Sequence, residues 1–198
     1  MTRPRLELIS LHIPKTAGTS FRAALDVEYG NDIAHIYGGA AIDAHRYRAI
    51  HGHIRVDEAR AVAGKAKWIM WLREPVDRLA SYYDFWRQSD PHGNPNHDHF
   101  LASDMGFTTF IEWAPIRNEF AEHYVSGLEP DDFTFVGLTE RYDDDIQRLA
   151  VKLGWRAAPT VRRANITPTR STIITDDLRA HVAQFHPVET AWYDHFRD

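Results

Sequence analysis

Residues 6–30, LELISLHIPKTAGTSFRAALDVEYG, form a strand, a loop and a helix in that order. Residues 6–13 are a mostly apolar run of strand length that Pro14 stops. Residues 19–29 carry helical spacing and end at Gly30, a residue suited to a helix terminus. The same order returns downstream. Residues 49–54 (AIHGHI) read as a short strand, followed by a helix over 57–63 with Gly64 as its stop. Residues 67–72 (KWIMWL) are a strand of the fully buried type, and Pro75, whose fixed φ suits a first helical turn, opens an amphipathic helix to about Arg87. Residues 133–138 and 142–153 repeat strand and helix. Helical segments are expected over 108–113 and 118–126, broken near Pro115, and two more over 176–186 and 188–197. Residues 88–106, QSDPHGNPNHDHFLASDMG, are rich in Pro, Gly, Asn and His, which predicts a long surface loop suited to act as a substrate lid. Strands alternating with helices predict an α/β fold: one domain over 1–198, with a mainly parallel sheet flanked by helices and ligands at the carboxyl ends of its strands. The loops after Ile13, Ile54 and Leu72 then share one edge.

Composition narrows the chemistry. The 198 residues are 43% hydrophobic and 26% charged, ordinary for a globular protein. With no cysteine, disulfides, zinc-thiolate sites and thiol nucleophiles are excluded, and the twelve histidines become the first candidates for acid/base work. No apolar run approaches the ~20 residues of a membrane span, and no signal-peptide pattern opens the chain, so a cytoplasmic enzyme without a transmembrane segment is expected. A net charge of -5 argues against nucleic acid as a partner, although local basic pockets are compatible with it. Only four of the 23 basic residues are lysines, which makes Lys15, three positions before Gly18, stand out.

The loop HIPKTAGTS, residues 12–20, sets Lys15, Gly18 and three hydroxyls before a helix. Backbone N–H groups at a helix start, with the positive end of its dipole, make an anion site, and glycine lets the backbone come close. The usual nucleotide loop GxxxxGK[ST] is absent. The plainer reading is that Thr19 or Ser20 caps the helix while Lys15 is solvated. In LREPVDRLASYY, residues 72–83, Arg73 ends a strand and Ser81 follows eight positions on in the next helix. A guanidinium fork and a hydroxyl can grip one phosphate from two sides; alternatively Arg73 pairs with Glu74 or Asp77 and Ser81 only packs. By itself, HGH at 51–53 reads as a strand with one buried, satisfied histidine. His92, His97 and His99 read as members of a solvated loop rather than metal ligands, Tyr82, Tyr83, Phe85 and Trp86 as helix core, and Arg78 as a surface or ion-pair residue.

Taken together, these segments resemble the donor-binding motifs of the sulfotransferases that use 3'-phosphoadenosine 5'-phosphosulfate (PAPS), especially the carbohydrate group that includes the heparan sulfate 2-O-sulfotransferases. HIPKTAGTS is similar to the family's 5'-phosphosulfate loop, LREPVDRLASYY to its 3'-phosphate motif, IHGH to the segment holding a catalytic histidine, and FVGLTE at 135–140 to a later strand and turn. The resemblance spans about 8–153. It implies a P-loop-like sulfotransferase fold, PAPS as donor, no required metal, and a hydroxyl-bearing acceptor on a carbohydrate or glycolipid. It further implies that Lys15, Thr16, Ala17, Gly18, Thr19 and Ser20 surround the phosphosulfate and that Arg73 and Ser81 hold the 3'-phosphate. Arg162 and Arg163 would form a late basic element on the nucleotide. His53 would take the acceptor's proton, His51 would orient His53 or the substrate, and Lys15 would stabilise the leaving phosphate. Two alternatives stand beside this: a nucleotide-dependent kinase using the same loop, for which no convincing strand ends in a magnesium-binding Asp, and a non-catalytic nucleotide-binding module.

Overall fold

The computed structural model describes residues 6–38, 42–43, 46–156 and 171–197. Five strands, β1 (Leu8–Leu11), β2 (Ile33–Ile36), β3 (Ala49–Gly52), β4 (Lys67–Leu72) and β5 (Phe135–Leu138), make one sheet in the order β2-β3-β1-β4-β5. Every pairing is parallel, with Ser10 opposite both His51 and Ile69. Parallel strands cannot be joined by tight hairpins, so the connections carry helices onto the sheet faces.

Side chains alternate across a strand, and the core divides accordingly. Leu8, Ile69, Trp71 and Phe135 face one side, where helices α1 (Gly18–Tyr29) and α7 (Tyr142–Leu153) cover them with Phe21, Leu25, Ile146 and Leu149. Ile9, Leu11, Met70 and Leu72 face the other, under α2 (Val56–Ala63), a π-helical turn (Glu119–Tyr124) and the closing helix Pro187–Arg197. A third apolar cluster surrounds helix Pro75–Gln88, numbered α3. It includes Trp86, Phe100 and Phe110, the last two carried by α4 (Pro95–Ala102) and α5 (Phe107–Glu112). After α6 (Ala114–Arg117), the chain ends in α8 (Asp176–Phe185) and α9, the closing helix already given.

Four differences from the sequence reading have physical causes. Strand β2, unanticipated, exists through its register with β3, His35 lying opposite His51. Residues 88–106 are not one long loop. Asn94 accepts the N–H groups of Asn96 and His97 at 3.0 and 3.4 Å, Pro95 follows in the first turn, and α4 is pinned by buried Phe100 and His97. His97 is accordingly no solvated residue: it stacks on Trp86 at 4.7 Å and donates from Nε2 to the Trp86 carbonyl at 2.6 Å. Of the two readings of Arg78, the ion pair holds and the surface position does not: it is 1% exposed and ion-paired with Glu189 of α9. No helix among the described residues is long and apolar enough to cross a membrane.

Candidate active site

Between β1 and α1 the chain makes a turn in which Lys15 (φ 69) and Ala17 (φ 62) both adopt the left-handed conformation, uncommon for residues with a Cβ. Buried Thr16, between them, ties the turn shut by donating its hydroxyl to the Ile13 carbonyl at 2.8 Å. Helix α1 then begins with Ala17 as its cap residue and no side-chain cap. Its first N–H groups are therefore oriented as an anion site at the positive end of the helix dipole.

That turn forms one wall of a cavity of about 810 Å³ at the carboxyl ends of β1, β3 and β4. Lys15, Ala17, Gly18, Thr19 and Ser20 line it, as do Arg73 and Ser81 from the second motif and His53 from the third. The structure thus brings three separate sequence segments to one cleft. Arg73 reaches toward the Lys15 carbonyl at 3.5 Å, and Lys15 Nζ lies 4.4 Å above the Phe85 ring. Burial, followed by the neighbouring Arg73 charge, lowers the Lys15 pKa. Thr16 and His51 do not line the cavity. Arg162 and Arg163 lie outside the described residues. Glu74 pairs with Arg179 at 2.6 Å and accepts the Asp77 N–H as the cap of α3.

Sequence reasoning missed His12 as a participant. Its ring lies between those of His51 and His53, with centroids 5.2 and 4.5 Å away and planes within 16° of parallel. Ser10 Oγ bonds His51 Nδ1 at 2.8 Å, and the Tyr37 hydroxyl meets His12 Nδ1 at 3.1 Å. His53 Nδ1 lies 2.7 Å from the His12 carbonyl, and since a carbonyl can only accept, that nitrogen carries the proton. The neutral His53 ring consequently keeps its lone pair on Nε2. Loss of surrounding water lowers the His53 pKa, against a smaller raising effect from that hydrogen bond. Burial drives His12 down to about 3, with His53 and Lys15 adding repulsion, and holds His51 well below its usual value. The signal that could have found His12 was positional: strands pairing Leu11 with Gly52 must set residues 12 and 53 side by side.

Glu119, Tyr124 and Tyr82 also line the cavity; no motif marks the first two, and Tyr82, inside the LREPVDRLASYY segment, reads from the sequence only as helix core. Tyr124 Oη is 3.4 Å from His53 Nδ1, and Glu119 accepts a hydrogen bond from the Tyr82 hydroxyl at 3.3 Å. Burial pushes the Glu119 carboxyl up to about 7, an effect Arg78 opposes and Glu189 reinforces. Among the described residues no group of three or more His, Asp or Glu could hold a metal ion.

A sequence-family model described as "Sulfotransferase family" matches residues 1–189. No curated protein sequence matches the chain. Among solved structures, a sulfotransferase from Alicyclobacillus acidocaldarius is similar at 15% identity and a TM-score of 0.49, covering 96% of this chain and 95% of that one. The mouse sulfotransferase SULT7A1, solved with PAP, is similar at 15% identity and a TM-score of 0.47 over 94% of this chain. This chain spans 65% of the length of the mouse protein.

Proposed function

The chain belongs to the sulfotransferase family, and on that premise we propose that it moves the sulfuryl group of PAPS to an acceptor hydroxyl on a carbohydrate or glycolipid, with residues 1–198 acting as one domain. The supporting observation is the single cavity that gathers the Lys15 turn, Arg73 with Ser81, and His53. In this reading Lys15 and the N–H groups at the start of α1 hold the phosphosulfate, while Arg73 and Ser81 grip the 3'-phosphate. Thr16 acts by closing the turn.

The acceptor oxygen attacks sulfur in line with the scissile bond. An S–O bond to the acceptor forms, the S–O bond to the 5'-phosphate breaks, and 3'-phosphoadenosine 5'-phosphate (PAP) departs with the electron pair. Charge grows on the leaving phosphate, where the fixed donors of the turn and Lys15 are aimed. The acceptor's proton passes to Nε2 of His53, the nitrogen that its bond to the His12 carbonyl leaves unprotonated. His51 works at one remove, as a positioning residue behind His12. No step of this scheme calls for a metal.

Labelled PAPS with a panel of glycan, lipid and small-alcohol acceptors tests the reaction, and thermal shift with PAP in the absence of metal tests the donor site. His53→Ala should retain the PAP response and lose transfer by about a hundredfold or more. A protein that responds to Mg-ATP but not to PAP would sink the proposal, and undiminished transfer by His53→Ala would sink the assignment of the base.

A further inference from the structure

Helix α3 carries four aromatic residues in one stretch, and one of them does not serve the core. Tyr82, Tyr83 and Trp86 interlock with Phe100 and Phe110 in the third apolar cluster. Phe85, expected from the sequence to be core with them, is 47% exposed and belongs to none of the three buried clusters. Among the described residues its ring meets no other ring. Phe85 lines the cavity instead, four positions after Ser81 and on the same face of α3.

What the Phe85 face meets is a cation. Lys15 Nζ lies 4.4 Å from the ring centroid, inside the range over which the negative face of an aromatic ring attracts an ammonium. No described carboxylate pairs with Lys15, and the charge acting on it is the like charge of Arg73. The left-handed turn fixes the Lys15 backbone, with φ at 69° and the Thr16 hydroxyl bonded back to Ile13. It does not fix the ammonium, which stands at the end of a flexible four-carbon stem and which Arg73 repels. A carboxylate could hold it, but only by neutralising the charge that an incoming phosphosulfate needs. A neutral ring holds it and leaves that charge intact.

We infer that Phe85 is a positioning residue for Lys15, holding the ammonium over its ring so that the charge faces the donor's 5'-phosphate before the donor arrives. The inference rests on the sulfotransferase reading and deepens it, assigning a role to a residue that lies beyond the LREPVDRLASYY motif. An ammonium has three donors, so one side of it can meet the ring while the others reach the phosphate. The gain is preorganisation: a lysine already held loses less side-chain freedom when the nucleotide binds.

The test is calorimetric titration of the full chain with PAP, which carries the 5'-phosphate and needs no acceptor. Phe85→Leu keeps an apolar side chain and removes the ring face. It should weaken PAP binding by about three- to tenfold, the cost of ordering one long side chain, and move Tm by no more than about 2 °C, because Phe85 supports none of the buried clusters. Phe85→Tyr, which keeps the face, should stay within about twofold of the unaltered protein. In a Lys15→Ala background Phe85→Leu should change PAP affinity by less than about twofold, because the ring acts through the lysine. Undiminished affinity in Phe85→Leu overturns the inference. So does an equal weakening in the Lys15→Ala background, which would set the ring against the nucleotide itself. A Phe85→Tyr protein as weak as Phe85→Leu, or loss of the fold in Phe85→Leu, would make the ring a packing residue and overturns it too. PAP binding by the unaltered protein separates the levels of failure. Where it is present, these outcomes remove only the role of Phe85; its absence removes the sulfotransferase reading and this inference with it.

Discussion

An alanine at position 18 should damage the site through His12 rather than through the backbone. Gly18 is not among the residues with positive φ, so alanine can adopt its conformation, and at the start of α1 it gains helix propensity of up to ~1 kcal/mol. The obstacle is steric. A Cβ there would lie less than 3.0 Å from three atoms of the His12 ring, Nε2, Cε1 and Cδ2. His12 has no easy retreat, because it is stacked against His51 and His53 and held at Nδ1 by Tyr37. Overpacking typically costs about 1–3 kcal/mol, and contacts this close belong at about 2–3 kcal/mol, which after the helix gain leaves a net loss of about 1–2 kcal/mol, or roughly 2–8 °C in Tm for a chain of this size. Turnover should fall further than stability, since the same displacement disturbs the carbonyl that fixes His53.

The deciding assay is a double-mutant cycle read by thermal unfolding and by sulfuryl transfer. In a His12→Ala background, Gly18→Ala should cost almost nothing, giving a coupling energy of about 1–3 kcal/mol. A Gly18→Ala protein with unaltered Tm and turnover would refute the reasoning. So would additive losses, with coupling below about 0.5 kcal/mol. If PAP binding stayed lost in the double mutant, the glycine would be serving the approach of the donor phosphate instead.

Lys15→Ala should lower sulfuryl transfer by about 10²–10³-fold while moving Tm by only a few degrees, since the lysine is half-buried and charges the cavity rather than the core; unfolding of the variant would show the lysine to be structural. The His53 pKa is lowered from 6.5 and a base must be neutral to act, so kcat/KM measured against pH should hold at 6.5 and fall only in more acid solution. An acid limb centred above 6.5 would contradict the assignment. Stability should also decline in acid. His12 and His51 have depressed pKa values in the fold, so their contribution is present above 6.5 and is lost as pH falls from there toward about 3, the His12 value, at about 1.4 kcal/mol per group per pH unit. Glu119 and Glu74, raised instead, act oppositely as pH climbs through the range from 4.5 upward, but two fully depressed histidines outweigh them at pH 5.5. A Tm that rises between pH 6.5 and 5.5 would refute this balance.

Strand β4 at Lys67–Leu72 and helix α7 at Tyr142–Leu153 have the bounds read from the sequence, because each is specified by its own apolar pattern. Strand β2 is not so specified. Its four residues, two of them only partly buried, become a strand because β3 lies alongside. Helix α4 was hidden by a polar composition whose decisive members are few: the Asn94 cap, Pro95, and the pegs His97 and Phe100. Within the site, Lys15, Arg73 and His53 were legible because each sits in a short local pattern just at or after a strand end, and Ser81 because it follows Arg73 by eight positions, on α3. Glu119 has no such pattern. Its character comes from Arg78 and Glu189, which are distant in sequence, and from a π-helical register that no apolar period announces.

The histidine ladder shows how sheet geometry can install chemistry. Residues two apart on a strand project to the same side roughly 6.6 Å apart, and His51 and His53 follow that spacing at the end of β3. The parallel neighbour β1, paired Leu11 to Gly52, sends His12 into the gap. Position 52 must be glycine for an unrelated reason: a Cβ there would come within 3.0 Å of the Ile36 backbone on β2. Three rings so stacked cannot each take a proton, because charge on one disfavours charge on the next, as His53 does for His12 and both do for His51. His51 is buried away from the cavity, His12 meets it while only partly exposed, and His53 is the most exposed of the three. In the proposed reaction, a proton taken from an acceptor would therefore rest at His53, since burial and the charge on His53 both disfavour protonation of His12 and His51.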